Sequence, residues 1–122
     1  DYQDLQDELI DRFGEYPDQV AYLIEIGLVK AYLDAAFAEL VERKNDTIIV
    51  RFEKVSLKLF LTQDYFEAIS KTNLKARISD NQGKVEIIFD VRNKKDYEIL
   101  EELKIFGQTL MEIKKRKEKK ED

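Results

Sequence analysis

The sequence predicts a single α+β domain of 122 residues: two N-terminal helices, antiparallel strands with a short helix inserted, a hairpin, and a long C-terminal helix packed on the sheet. Three features carry that prediction. Apolar residues recur at helical spacing up to Phe37 and switch to a period of two from Glu39. Turn formers cluster at Lys44-Asn45-Asp46 and at Asp80-Asn81-Gln82-Gly83. Near the end of the chain, Ile99, Leu103, Phe106, Leu110 and Ile113 follow a 4-3-4-3 rhythm.

The first helix runs from about Asp4 to Phe13, and Gly14 suits its C-cap because glycine takes a positive φ without steric cost. Pro17 fits the first turn of the second helix, where its missing N–H is not required, so the Gly-x-x-Pro spacing makes a helical corner. The second helix extends from about Pro17 to Phe37. It carries Val20, Ile24, Leu28, Ala31 and Ala35 on one stripe and Tyr22, Ile26, Val29 and Leu33 on another, the pattern of a central, largely buried helix, with Gly27 permitting close approach of a neighbour. Thr47 to Phe52 reads as a strand after the first turn. Val55, Leu57, Leu59 and Leu61 alternate with Ser56, Lys58 and Phe60 and predict another strand, hence a three-stranded antiparallel meander. Thr62 caps a short helix from about Gln63 to Thr72 that buries Phe66 and Ile69. Ala76 and Ile78 face Val85, Ile87 and Phe89 across the second turn. Asn93 caps the last helix, whose two heptads are too few for a coiled coil and indicate an amphipathic helix lying on the sheet.

Composition limits the chemistry. The chain has no Cys, His or Trp, which removes disulfides, thiolate or imidazole metal sites and every triad built on a histidine base. Its glycines stand alone, so neither a phosphate-cradling loop nor a dinucleotide fingerprint is present. Carboxylate pairs such as Glu98 with Glu102 or Asp7 with Asp11 sit on polar helix faces and read as solvated surface. No cofactor is expected. No apolar run is long enough to span a bilayer and no signal pattern opens the chain, so a cytoplasmic protein without membrane contact is expected. The start at Asp1, directly in helical sequence, reads as a piece excised from something larger.

Two charged features remain. At 100° per residue Asp4, Asp7, Glu8 and Asp11 share one arc of the first helix, while Leu5, Leu9 and Phe13 share another. Such like charges three and four apart cost roughly 0.2–0.5 kcal/mol per pair, and Asp11 lies near the helix C-terminus, where the dipole disfavours an anion. That arc is a candidate protein-binding face or a solvated surface with Arg12 as a nearby cation. Oxygen-only metal ligation by these groups is disfavoured, because a straight helix spreads them apart. The second feature is the segment 113–122, expected to be a charged, frayed helix end. Its Lys114, Lys115, Arg116, Lys117, Lys119 and Lys120 are also the place for an alternative function, a nucleic-acid-binding accessory, although a net charge of −5 opposes a general footprint on DNA.

The stretch from Glu8 to Pro17, Glu-Leu-x-Asp-Arg-Phe-Gly-x-x-Pro, resembles the signature of the C-terminal (TRCF) domain of the bacterial transcription-repair coupling factors, the Mfd family. The likeness extends to the long following helix, the strand Thr47 to Phe52 and the terminal helix. It implies a non-catalytic domain of a large ATP-driven DNA translocase that displaces stalled RNA polymerase and recruits the excision-repair protein UvrA. It further implies that this domain docks on the N-terminal UvrA-binding module of the same protein and hides it. In the family the docking contacts include the two acidic residues of the signature, which match Glu8 and Asp11 here. Phe13, Gly14 and Pro17 are the signature's structural positions.

Overall fold

A computed structural model describes residues 18–121. The first helix expected at 4–13 and its corner at Gly14 and Pro17 lie outside the described residues. The α+β class is the one observed. Helix α1 (Asp18–Ala35) is followed by strands β1 (Ala38–Lys44) and β2 (Thr47–Phe52), a 3-10 turn (Lys54–Lys58), helix α2 (Thr62–Ser70), strands β3 (Lys75–Asn81) and β4 (Lys84–Asp90), and helix α3 (Asp96–Glu121). The strands form one antiparallel sheet in the order β1-β2-β4-β3.

Turn chemistry fixes both hairpins. Asn45 at φ 53° closes β1 onto β2, and Gln82 (φ 53°) with Gly83 (φ 84°) closes β3 onto β4, a pair of left-handed residues whose twist suits the strands they join. Ala76 lies opposite Phe89 and Ile78 opposite Ile87, as the alternation requires. Directly opposed residues share a face, so Ile48, Val50, Phe52, Ile87 and Phe89 point to one side, where α3 covers them. The anticipated face of α3 is the buried one: Ile99, Leu103, Phe106, Leu110 and Ile113 are all at most 5% exposed. Phe106 meets Phe89 edge to face with ring centroids 5.1 Å apart, and Phe52 at 6.4 Å.

Four expectations are corrected. The third strand of a meander is absent: Ser56 and Phe60 are the buried positions of that segment, one helical turn apart and joined by the Phe60 N–H donating to the Ser56 carbonyl, while Val55, Leu57 and Leu61 are exposed. β2 pairs with β4 instead. In α2 the buried residues are Asp64, Tyr65 and Ala68, and Phe66 points to solvent; the turn 54–58 presents the Ser56 hydroxyl to the Tyr65 hydroxyl, which draws that ring inward. The helix is capped by Asp64, whose carboxylate accepts the Leu61 N–H at 2.8 Å, and not by Thr62. Asn93 adopts φ 63° in the turn ahead of α3 and does not cap the helix, which starts at Asp96.

Helix α1 is the fourth. It is a flank, not a central rod: its buried residues are Ile24, Val29 and Leu33, with Ala36 just past its end, while Leu23, Ile26 and Ala35 are exposed. It ends at Ala35, and Phe37, with φ 65°, turns the chain into β1. Helix α1 lies along α3, and the close approach occurs at Gly107 of α3, where an added Cβ would stand 2.7 Å from Cβ of Tyr32. Gly107 is the residue that admits α1.

Candidate functional site

Asp4, Asp7, Glu8, Asp11, Arg12, Phe13, Gly14 and Pro17 all lie outside the described residues, immediately ahead of α1. Their contribution can still be located by charge. The first seventeen residues hold six acidic side chains and one basic one, while residues 18–122 hold twenty of each, so the whole net charge of −5 belongs to the segment that bears the acidic arc.

The described residues neutralise one another in pairs. On the sheet face away from α3, Arg51 meets Glu86 at 2.8 Å and Lys84 meets Glu39 at 2.7 Å. The Asn81 amide, donating to Glu86 at 3.1 Å, and the Arg51 guanidinium hold the Glu86 carboxyl below its ordinary pKa. Between α1 and α3, Lys104 lies 3.0 Å from Glu25 and 3.2 Å from Glu101. Burial alone would lower the Lys104 pKa, but the two carboxylates outweigh it and raise it. Glu102, read as one of a possible carboxylate pair, instead accepts the backbone N–H of Asn73. Tyr65 and Ser56 are buried hydroxyls that face each other, and burial pushes the Tyr65 pKa up. None of these groups faces a cleft in a nucleophile-and-base arrangement. Among the described residues no three acidic side chains gather around one point where a metal could sit.

The basic segment is not a frayed end. Helix α3 continues to Glu121, and Ile113 is buried. Lys117 is bonded to Asp64, Arg116 makes two contacts to Glu67 at 2.9 and 3.1 Å, and Lys114 lies 5.8 Å over the ring of Phe37. The contacts to Asp64 and Glu67 fasten α2 to α3 and commit two of the cations that a phosphate-binding tail would need free.

This fastening is acid-sensitive. Burial alone would raise the Asp64 pKa, but the Lys117 ammonium, the Leu61 N–H and Arg116 together bring it below the ordinary 3.8. A carboxyl that releases its proton more readily when folded stabilises the fold above its unfolded pKa. That contribution fades as pH drops below about 4 and is gone below the folded value. Asp64→Asn is therefore expected to lose stability at pH 7 and to show a shallower fall in urea midpoint between pH 5 and pH 2.5 than the parent chain, as read by circular dichroism.

What sequence reasoning missed is an apolar groove of about 390 Å³ where α1, β1 and α3 meet. Val29, Leu33, Leu100 and Leu103 line it, and Ile26 and Val41 stand at its rim, 40% and 49% exposed. Leu23, three residues before Ile26 on α1, is 65% exposed. The signal was present as the second apolar stripe of α1, which is too wide for α3 alone to cover. No described helix is long and apolar enough to cross a membrane.

The family model for the TRCF domain matches residues 1–62, a range that contains the acidic signature. Over 45 residues the chain is 42% identical to the transcription-repair-coupling factor of Bacillus subtilis (strain 168), an alignment covering 37% of this chain and 4% of that protein. The chain thus spans only a small part of that relative. A solved structure, the crystal structure of the C-terminal domain of a transcription-repair coupling factor, superposes with a TM-score of 0.87 at 66% identity, covering 95% of this chain and 72% of that one.

Proposed function

Because the chain belongs to the TRCF-domain family, the C-terminal domain of transcription-repair coupling factors, we propose that it is a non-catalytic regulatory cover that masks the UvrA-binding module of its own parent protein through the acidic arc. In this reading the parent is an ATP-driven DNA translocase acting in the cytoplasm, which displaces stalled RNA polymerase and recruits UvrA. Glu8 and Asp11 meet arginines of the covered module, and Asp4, Asp7 and Arg12 border that contact. The observation that carries the reading is the signature Glu8 to Pro17 inside the matched stretch, on a segment that holds the chain's entire charge imbalance.

The energetics suit a latch that must open. Exposed ion pairs are worth about 1 kcal/mol or less each, and more when desolvated. A closed state favoured by about 2–3 kcal/mol suppresses recruitment thirtyfold to a hundredfold, since masking and recruitment compete for one surface. Charge reversal of both residues, Glu8→Lys with Asp11→Lys, in the full-length parent is expected to raise UvrA affinity by about thirty- to a hundredfold in a titration without stalled polymerase, and to leave the fold intact by circular dichroism. Unchanged affinity in a folded double variant would sink the masking role. The alternative, nucleic-acid binding by Lys114 to Lys120, is disfavoured by the engagement of Arg116 and Lys117 with α2.

A further inference from the structure

We propose that the free edge of β3 takes an extended acidic segment of a partner protein, which joins the sheet as a further strand with carboxylates against Lys75 and Arg77 and apolar residues beside Ala76 and Ile78. β3 stands last in the sheet order and has β4 on one side only. Among the described residues, no backbone group outside the β3–β4 ladder bonds to the backbone of residues 75–81. An edge of that kind is a template for strand addition, and cations along it select what is added, since a neutral strand leaves them unpaired and a basic one opposes them.

The register decides which chemistry fits. Residues directly opposite each other share a face, so Lys75 and Arg77, opposite Asp90 and Ile88, stand on the sheet face away from α3. As alternate residues of one strand they are about 7 Å apart. Ala76 and Ile78, opposite Phe89 and Ile87, stand on the other face and are partly buried against the core. A strand added beside β3 therefore meets cation and apolar side chain in alternation.

Charge at this end of the sheet is mostly of one sign. Two adjoining depressions of about 330 and 310 Å³ share Lys75, Asp90 and Arg92, with Arg77 lining the first and Lys94 the second. Four cations thus stand around a single carboxylate, Asp90, which accepts the Arg92 N–H at 3.0 Å. Among the described residues Lys75, Arg77 and Lys94 make no ion pair, and Arg92 comes no closer than 3.9 Å to Asp46. Further along the same face Arg51 and Lys84 are already bound to carboxylates.

The other edge lacks this chemistry: β1 has a register shift between Ala38 and Leu40, and its Glu39 and Arg43 are engaged by Lys84 and Asp96. A nucleic acid fits less well. None of the strand residues on this face is aromatic, so no base can stack there, and Asp90 stands among the cations where a phosphate would lie. An added strand lies on the outer side of β3, with Asp90 on the inner side.

The probe is a fluorescein-labelled octapeptide of alternating glutamate and valine, titrated into the full chain at low salt and read by fluorescence anisotropy. It is expected to bind about tenfold or more tightly than its lysine–valine counterpart, and Lys75→Glu with Arg77→Glu is expected to weaken it by about the same factor. Lys115→Glu with Lys119→Glu, the same charge change on α3, is expected to leave it within about twofold. Lys75 and Arg77 are exposed, so their replacement leaves the core intact, as circular dichroism checks; the comparison of the two peptides needs no variant. Bound peptide should also slow amide exchange in residues 75–81 but not in α1. Equal affinity for the two peptides, undiminished binding by the folded β3 variant, equal loss in the α3 variant, or unslowed exchange in β3 would each overturn the proposal. So would a thymidine oligonucleotide that displaces the peptide at equal concentration, because a phosphodiester chain then suffices. UvrA binding is read in the parent protein and is independent of all these results.

Discussion

Replacing Phe106 by alanine is expected to cost about 3–5 kcal/mol, the range for emptying a fully buried aromatic site. Phe106 is inaccessible to solvent and lies between Phe89 of β4 and Phe52 of β2. Its removal takes away both ring contacts and leaves a void that cannot collapse, because the sheet and α3 are held in place by Ile99, Leu103, Leu110 and Ile113. Domains of this size are stable by only about 5–15 kcal/mol, so the variant should unfold at a visibly lower urea concentration, with unchanged m-value if folding remains two-state. A midpoint within error of the parent chain would mean that the Phe106 ring does not join α3 to the sheet as its contacts with Phe89 and Phe52 indicate.

Gly107→Leu is expected to destabilise by about 3 kcal/mol, the upper end of the cost of overpacking. A Cβ at Gly107 would meet Tyr32 Cβ at 2.7 Å, and that atom is bound directly to the α1 backbone, so no side-chain rotation relieves the clash. The gain in helix propensity on replacing glycine, about 1 kcal/mol or less, offsets only part of this. The damage should be local at first: α1 is displaced from α3 while the sheet and its aromatic contacts persist. Hydrogen exchange should therefore accelerate in α1 before β2 and β4, whereas Phe106→Ala loosens the sheet directly.

The sequence made some of this architecture plain and concealed the rest for identifiable reasons. The buried face of α3 was legible because five apolar residues repeat at helical spacing without interruption, with Glu101, Glu102, Lys104 and Glu112 among the positions between them. The hairpins were legible from Asn45 and Gly83, whose backbone angles few other residues tolerate. The segment Val55 to Leu61 misled because its aliphatic residues alternate as a strand does. The deciding contact, Ser56 with the Tyr65 hydroxyl, joins residues nine apart and leaves no periodic trace. In α1 two apolar stripes competed, and the buried residues Ile24, Val29 and Leu33 come from both, while the close approach is made by Tyr32 at Gly107 of another helix. The acidic arc was legible as a pattern, but its proposed counterpart lies on another module.

Helix α3 carries its two contacts back to back: Phe106 faces the sheet, while the neighbouring Gly107 and Lys104 face α1 through Tyr32 and Glu25. A shift of α1 is therefore transmitted through a single helix to the aromatic layer beneath, so the flank and the sheet share one mechanical partner.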